Sequence, residues 1–458
     1  MREAAPVSRP VVLTVAGSDS GGGAGIQADL KTIEACGGFG TSAITSVTAQ
    51  NTTGVESTHV LPVDEIDAQY EAVLSDFDVR AVKTGMLATA DVVDLVTDRV
   101  AALDAPAVVD PVMVAASGDR LLASEAEAAY GALVREATLV TPNADEAAVL
   151  TDVDPEGEAT AREAGETLVE MGADAALVKG GHIDGGQSEQ VVDVLVTDER
   201  VETFRHPRVD TDATHGSGCT LSSAIATRLA EGESVSDAVA SGIELLARAV
   251  RYNHDVGAGP GAVHHLVELR DAAAREATAE AVQSVLDSLV ERDVAPLVPE
   301  GGMDVAGATL YAERPDEVAA VDGGVVRTLS GAKPTGGVRF GASTHVAETV
   351  LAVREADASV RFGATVRYGD DVAAVLEGLD GAVVAVEVGA GGESGDAQSR
   401  TGREAVVARE VAESGGSPVA VVDHDAPHDG STATLVATDT ETLVARTTRL
   451  LDAVGSGE

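Results

Sequence analysis

Lysine is almost missing from this chain, with four in 458 residues: Lys31, Lys83, Lys179 and Lys333. Basic charge is scarce altogether, since 31 Lys and Arg stand against 76 Asp and Glu, for a net charge of -45 and a pI near 4.3. The deficit is not confined to a tail: residues 1–268 hold 44 acids to 16 bases, and the remainder 32 to 15. A field of that sign on both halves repels phosphate backbones and anionic lipid, which argues against nucleic acid or a membrane surface as the main partner. An acidic, lysine-poor surface fits a halophilic protein from a salty cytoplasm, where screening shortens like-charge repulsion to a few ångströms. Aromatic residues are also rare, at 2% with no tryptophan. Low aromaticity beside high net charge is a signature of disorder, yet 44% of the residues are hydrophobic and fall in periodic Val, Ala, Leu and Ile runs, which predicts folded domains with sizeable cores. Two cysteines, Cys36 and Cys219, provide no disulfide framework or zinc spacing and fit a reducing compartment. No apolar stretch reaches the roughly 18 residues a membrane span needs. The opening MREAAPVSRP has no signal-peptide core, so residues 1–10 read as a flexible leader on a cytoplasmic protein.

At roughly 150 residues per domain the length allows two to four domains. From residue 11 short β-branched runs alternate with longer helical stretches, the pattern of a parallel sheet covered by helices. Strands are expected at 11–17, 42–49, 81–86, 107–113, 139–143 and 175–181, a hairpin at VVDVLVTDERVETF, and two helices after it. GAGPGAVHH breaks the pattern, which places a boundary near 268 and yields domains over 11–268 and 269–458, with a linker helix at about 266–293. The second, smaller α/β unit has expected strands in VVRTLS, SVRFGATVRY, GAVVAVEV and SPVAVVDHD, and helices in STHVAETVLAVREA and DTETLVARTTRLLDAV. GAGGESGDAQSRTG reads as a surface loop.

Two glycine-rich motifs carry chemistry. AGSDSGGGAGIQADLKT follows the first strand and opens a helix, so its bare backbone and helix start could approach an anion; a tight turn without ligand is the competing reading. No G-x-x-x-x-G-K-[ST] occurs, which excludes a Walker-type loop. THGSGCT, ahead of an amphipathic helix, is the stronger signal. Gly216, Ser217 and Gly218 put successive backbone N–H groups at a helix start, a cradle for charge developing on a transferring phosphoryl group. Cys219 falls on the first turn, where the helix dipole lowers a thiol pKa; that position favours a functional thiol over a small buried residue. Cys36, beside Gly37 and Gly38, reads as a packing residue.

Taken in order, AGSDSGGGAGIQADLKT, VTAQNTTGV, VKTGML, DPVM, TPNADEAAVL, VKGGH and THGSGCT closely resemble the hydroxymethylpyrimidine kinase/phosphomethylpyrimidine kinase family of thiamine biosynthesis, in the ribokinase-like superfamily. The resemblance covers about 10–268 and implies an α/β fold, a three-layer sandwich on a mostly parallel central sheet. It implies ATP-dependent phosphorylation of 4-amino-5-hydroxymethyl-2-methylpyrimidine and then of its monophosphate, with ATP and Mg²⁺ as cofactors. Carried over by position, the pyrimidine pocket falls on Asp29, Gln50, Met86 and Val112. The N-x-x-E element falls on Asn143 and Glu146, with Asp110 assisting at the metal, and Lys179 faces nucleotide phosphate. Gly216 to Cys219 hold the transferring group, and Cys219 stands where many superfamily members carry a catalytic Asp, as general base if thiolate. His182 and His215 adjoin these motifs and read equally well as structural histidines. A pyridoxal-type kinase is the alternative; VTAQNTTGV and VKTGML favour the pyrimidine. A homo-oligomer is expected.

From about 275 to 455, EVAAVDGG followed by GAKPTGGVRFGASTHVAE resembles the thiamine-phosphate synthase domain fused behind this kinase in archaea. That resemblance makes Lys333, Arg339, Ser343 and His345 candidates for phosphate-bearing ligands such as thiazole phosphate or thiamine phosphate. The family's Gly-Arg pair is here Gly323 and Gly324, so the guanidinium that meets the leaving diphosphate is missing unless Arg327 or Arg339 substitutes. The C-terminal phosphate motif is also blurred, as GGSPVAVVDHDAPHDGS. A weak synthase and a non-catalytic sensor of thiamine intermediates both stay open.

Overall fold

The computed structural model describes residues 6–113, 124–181, 189–386, 402–415, 417–424 and 431–455. The chain folds as two units, Met1–Leu269 and Arg270–Glu458.

Unit one is built on a nine-stranded sheet: β1 (Val11–Asp19), β2 (Phe39–Asn51), β3 (Gly54–Val60), β4 (Val79–Thr84), β5 (Ala107–Val109), β6 (Leu139–Val140), β7 (Ala175–Val178), β8 (Gln190–Thr197) and β9 (Val201–Pro207). Spatial order is β3-β2-β1-β4-β5-β6-β7-β8-β9. The six strands from β2 to β7 run parallel, and antiparallel β3 and the β8–β9 hairpin flank them. Strand side chains alternate between faces, so neighbouring residues enter different cores. Leu13 and Val15 join Val82, Val109 and the helix residues Val93, Val96 and Leu133 on one face. Val12, Ala81 and Val108 meet Ile33, Leu221, Ile225 and Ile243 on the other. A sheet apolar on both faces needs helices on both, which is the three-layer sandwich.

The expected strands all form, with changed ends. β1 and β2 are longer than expected, while β5, β6 and β7 stop short, although just past their ends the Asp110 and Thr141 N–H groups still donate to the Thr84 and Val109 carbonyls and Asn143 still bridges Lys179. The β3 edge strand was not expected: GVESTHV is mostly exposed, so it carries no buried-strand pattern.

Unit two has a seven-stranded sheet from β10 (Val305–Ala308), β11 (Val318–Val321), β14 (Val338–Phe340), β15 (Phe362–Arg367), β16 (Ala382–Val386), β17 (Pro418–Asp423) and β18 (Thr432–Ala437), plus a separate ribbon of β12 (Val325–Thr328) and β13 (Gly331–Pro334). Its strand pairs are antiparallel except β16–β17. Helices Arg275–Glu291 and Thr440–Gly455 bury Val285, Leu289, Leu443 and Leu450 against one face. Helices Thr344–Ala356 and Gly402–Ser414 bury Val346, Val350, Val407 and Val411 on the other. Most of the expected loop GAGGESGDAQSRTG, and part of the blurred C-terminal motif, lie outside the described residues. No helix among the described residues is long and apolar enough to cross a membrane.

Candidate active site

In the order β3-β2-β1-β4 the chain reverses its direction of growth at β1, and open parallel sheets gather ligands at the carboxyl ends of strands beside such a switch point. The expected residues Gln50, Asp110, Asn143 and Lys179 all stand at those ends, after or within the last turns of β2, β5, β6 and β7. Strand geometry thus assembles residues that are far apart in the chain.

Around Asp110 the site is charged. Lys179 Nζ lies 3.1 Å from Asp110 Oδ1, and Thr141 Oγ1 donates to the same oxygen at 3.3 Å. Glu146 and Asn143 form a capping box on the helix Ala144–Thr151: the Glu146 N–H donates to Asn143 Oδ1 at 2.8 Å and the Asn143 N–H to Glu146 Oε2 at 2.9 Å. The N-x-x-E element therefore has a folding role, which pins the carboxylate of Glu146 beside Lys179. Burial, opposed by Lys179 and reinforced by Asp110, pushes Glu146 up to about 7. Burial opposes the charge on Lys179, yet Asp110 and Glu146 hold it above its ordinary value.

Against this cluster abuts the helix Ser217–Glu231. Its N-cap Gly216 is left-handed at φ 84°, where a Cβ would fall 1.8 Å from the Gly23 carbonyl oxygen. A Cβ on Gly218 would stand 3.3 Å from Lys179 Nζ and 3.5 Å from Asp110 Oδ2. The glycines of THGSGCT are thus required twice, once by the turn and once by the charged pair. Cys219 lies on the first turn as expected, but its thiol departs from expectation. Burial pushes it up to about 12; nearby Lys83 lowers it while Asp29 and Asp110 raise it further. Desolvation outweighs the helix dipole here, so the free protein carries a neutral thiol.

Asp29 is a second correction. It is wholly buried, 2.7 Å from the equally buried Lys83 Nζ, and accepts from Thr14 Oγ1 at 2.6 Å and Ser223 Oγ at 2.9 Å. Every neighbour is protein, so Asp29 holds the helices Gly25–Ala35 and Ser217–Glu231 to β1 and β4 and offers no surface to a ring. Burial opposes the charge on Lys83, but Asp29 keeps it above its ordinary value.

The other expected pocket residues are half-buried or buried. Gln50 Oε1 accepts from Thr48 Oγ1 at 3.2 Å, and its Nε2 is 3.5 Å from His215 Nε2. Met86 is buried, with its sulfur 3.9 Å from Ser46 Oγ. Val112 is half-buried two residues past Asp110, and its N–H donates to the Asp110 carbonyl. His182 lies outside the described residues. Sequence reasoning missed Asp19. Its carboxylate accepts from the N–H groups of Gly21, Gly23 and Ala24 at 2.7, 3.0 and 2.8 Å, and lies 3.0 Å from His215 Nε2. The amides of the first glycine motif are therefore committed to a side chain, and the tight turn is what the structure shows. An Asp two residues before a glycine run was the available signal, since Asx turns are built this way.

In unit two the candidates stand on different elements. Lys333 is exposed on the β12–β13 ribbon, and Arg339 on β14 pairs with Asp322 at 2.9 Å. Ser343 Oγ donates to Asp304 at 2.8 Å, and His345 is half-buried on the first turn of its helix. Arg327 donates to the Val298 carbonyl at 3.0 Å. Arg327 is thus bonded to a backbone carbonyl, while Arg339 is held by Asp322, the residue just before the Gly323–Gly324 pair. Gly323 and Gly324 are both left-handed, at φ 69° and 71°, and a Cβ on Gly324 would fall 2.9 Å from the Met303 carbonyl oxygen.

A glycine-edged helix start facing a Lys and two carboxylates, at the carboxyl ends of a parallel sheet, defines a small-molecule phosphotransferase of the α/β sandwich type. The phosphomethylpyrimidine kinase family matches residues 19–264, and the chain belongs to it. Thiamine-phosphate synthase ThiN matches residues 281–449. A hydroxymethylpyrimidine/phosphomethylpyrimidine kinase of Streptomyces coelicolor is 49% identical over 261 residues, which are 57% of this chain and 96% of that one. The thiamine biosynthesis bifunctional protein ThiED of Geobacter sulfurreducens is 43% identical over 269 residues, 58% of this chain and 54% of that one. Among solved structures, the pyridoxal kinase from Staphylococcus aureus in complex with AMP-PCP and pyridoxal is 30% identical with a TM-score of 0.53, covering 58% of this chain and 96% of that one.

Proposed function

We propose that unit one is the hydroxymethylpyrimidine and phosphomethylpyrimidine kinase of thiamine biosynthesis, transferring phosphoryl groups from ATP first to the pyrimidine alcohol and then to its monophosphate. The observation that carries this reading is the meeting of Lys179, Asp110 and Glu146 with the helix start at Gly216 to Cys219, beside a Gln50 amide suited to an aminopyrimidine edge.

Phosphoryl transfer is mostly positioning and charge stabilisation. Lys179 would meet nucleotide phosphate, and the amides of Gly218 and Cys219 would receive charge developing on the transferring group, the Ser217 N–H being bonded to the Thr214 carbonyl at 3.0 Å. Among the described residues, no three His, Cys, Asp or Glu side chains are grouped to hold a metal by themselves. Asp110 and Glu146 nonetheless fit Mg²⁺, which binds through one or two carboxylates plus substrate phosphates; the raised Glu146 is a carboxylate short of a cation. When bound, the ion would neutralise phosphate charge. Cys219 enters as a neutral thiol that packs against and positions the acceptor, with thiolate general-base action disfavoured by its burial. Met86 and Val112 would wall the ring.

For unit two we favour a ligand-binding role over catalysis, since the Gly323–Gly324 turn rejects a side chain at 324 and the guanidinium near it, Arg339, is an exposed one paired with Asp322. One incubation tests both units: purified chain in molar salt with the pyrimidine alcohol, ATP, Mg²⁺ and thiazole phosphate, with pyridoxal as a competing acceptor. Pyrimidine diphosphate without thiamine phosphate is expected. Thiamine phosphate would overturn the reading of unit two, and phosphorylation of pyridoxal alone would overturn that of unit one.

A further inference from the structure

Asp19 is 3% exposed, and four groups converge on its carboxylate. Three are amides of the turn after β1; the fourth is the ring of His215, 196 residues away in sequence. A carboxylate with these neighbours only accepts, so the His215 nitrogen facing it, Nε2, carries the hydrogen. That assignment has a consequence one residue further out. Gln50 Nε2 lies 3.5 Å from the same ring nitrogen, and two donors cannot bond each other. Thr48 Oγ1 reaches the amide oxygen from the other side at 3.2 Å, but its one hydrogen is shared with the nearer Ser18 carbonyl at 2.8 Å; in either facing of the amide, a protonated Nε2 offers it no acceptor. The Gln50 N–H groups therefore have no acceptor in His215.

We propose that Asp19 is a positioning residue for the kinase reaction: by keeping the proton of His215 on Nε2, it leaves the Gln50 amide N–H groups available to an acceptor nitrogen of the pyrimidine ring. This rests on the kinase reading above and adds a residue outside the transfer cradle. The fit of the parts supports it. A Cβ on Gly23 would come within 2.5 Å of His215 Cδ2, so the turn that Asp19 ties down also forms the wall against which the ring is set. Without the carboxylate, the imidazole is free to place its lone pair on Nε2 and accept from Gln50, which would withdraw that donor from the substrate.

The test is Asp19→Asn in the full chain, assayed with the pyrimidine alcohol and ATP and followed by ¹⁵N spectra of the histidine rings. The wild type is expected to show a protonated Nε2 at His215 and Asp19→Asn an unprotonated one. With it, KM for the pyrimidine alcohol should rise about tenfold, while kcat and KM for ATP stay within about threefold. Gly23→Ala, which displaces the ring while leaving the Asp19 carboxylate in place, should raise the same KM. An unprotonated Nε2 in the wild type, or a fall in kcat with an unchanged pyrimidine KM in either variant, overturns the proposal. A wild type without pyrimidine turnover overturns the kinase reading instead, and the nitrogen spectra then decide the hold of Asp19 on His215 by themselves.

Discussion

At the scale of single residues, the site shows burial overriding position. Cys219 sits where a helix start should favour thiolate, and Asp29 sits in a motif that reads as ligand-facing. Both are governed by what surrounds them in space. For Cys219 this has a chemical consequence: only thiolate reacts with iodoacetamide, and a thiol pushed up to about 12 carries little of it at neutral pH. Alkylation at pH 8, followed by mass spectrometry, should be at least about tenfold slower than for a free cysteine. Its rate should keep climbing above pH 9, where a free thiol levels off. Cys36, buried and likewise raised to about 12, should be equally slow, with both reacting fast once the chain is unfolded. Rapid reaction of Cys219 at pH 7 would restore the thiolate and its general-base role. For Asp29, removing one partner of the buried pair with Lys83 would leave an uncompensated charge, a loss of about 3–5 kcal/mol, so its first duty is to the fold.

At the scale of elements, the helix Ser217–Glu231 matters most, because it faces the glycine turn and the charged cluster at once. Gly218→Ala should hold or slightly raise stability, since alanine is the better helix former by about 1 kcal/mol. Its methyl group at 3.3 Å from Lys179 Nζ must nevertheless push the ammonium aside. An increase in KM for ATP of about fivefold or more, with an unchanged melting temperature, is the expected result; unchanged kinetics would detach Lys179 from the nucleotide. Most parallel strands were legible because their apolar runs are buried on both faces. The exposed β3 edge was not, and strand ends were least legible, since the Asp110, Asn143 and Lys179 side chains past them make contacts that no local pattern records. The glycine motifs were visible as motifs. Which of their amides are already bonded was not, because Asp19 takes those of Gly21, Gly23 and Ala24 and the Thr214 carbonyl takes that of Ser217.

At the scale of the whole molecule, the charge of -45 is the dominant feature. Screening length falls from about 10 Å at 0.1 M salt to about 3 Å at 1 M, so self-repulsion across the surface should recede over that range. Melting followed by circular dichroism should shift up by about 10 °C or more between 0.1 and 2 M KCl; a shift within about 2 °C would remove the salt-adapted reading. The four lysines add a qualification. Lys83 and Lys179 are held in ion pairs within the kinase unit, and Lys31 donates to the Gly22 carbonyl at 2.6 Å. Lys333 is exposed on a ribbon. Three of the four therefore serve the framework of the site.

Sequence alone determined the α/β class, the family and the two-part layout, because periodicity and ordered motifs are local properties of the chain. Tertiary structure alone decided the roles within that frame. Asp29 passed from the pocket to the core, Cys219 from thiolate to thiol, and Asp19 from an unremarked turn residue to the link between two motifs. Those outcomes depend on desolvation and on partners up to 196 residues away, and only the folded chain sets both.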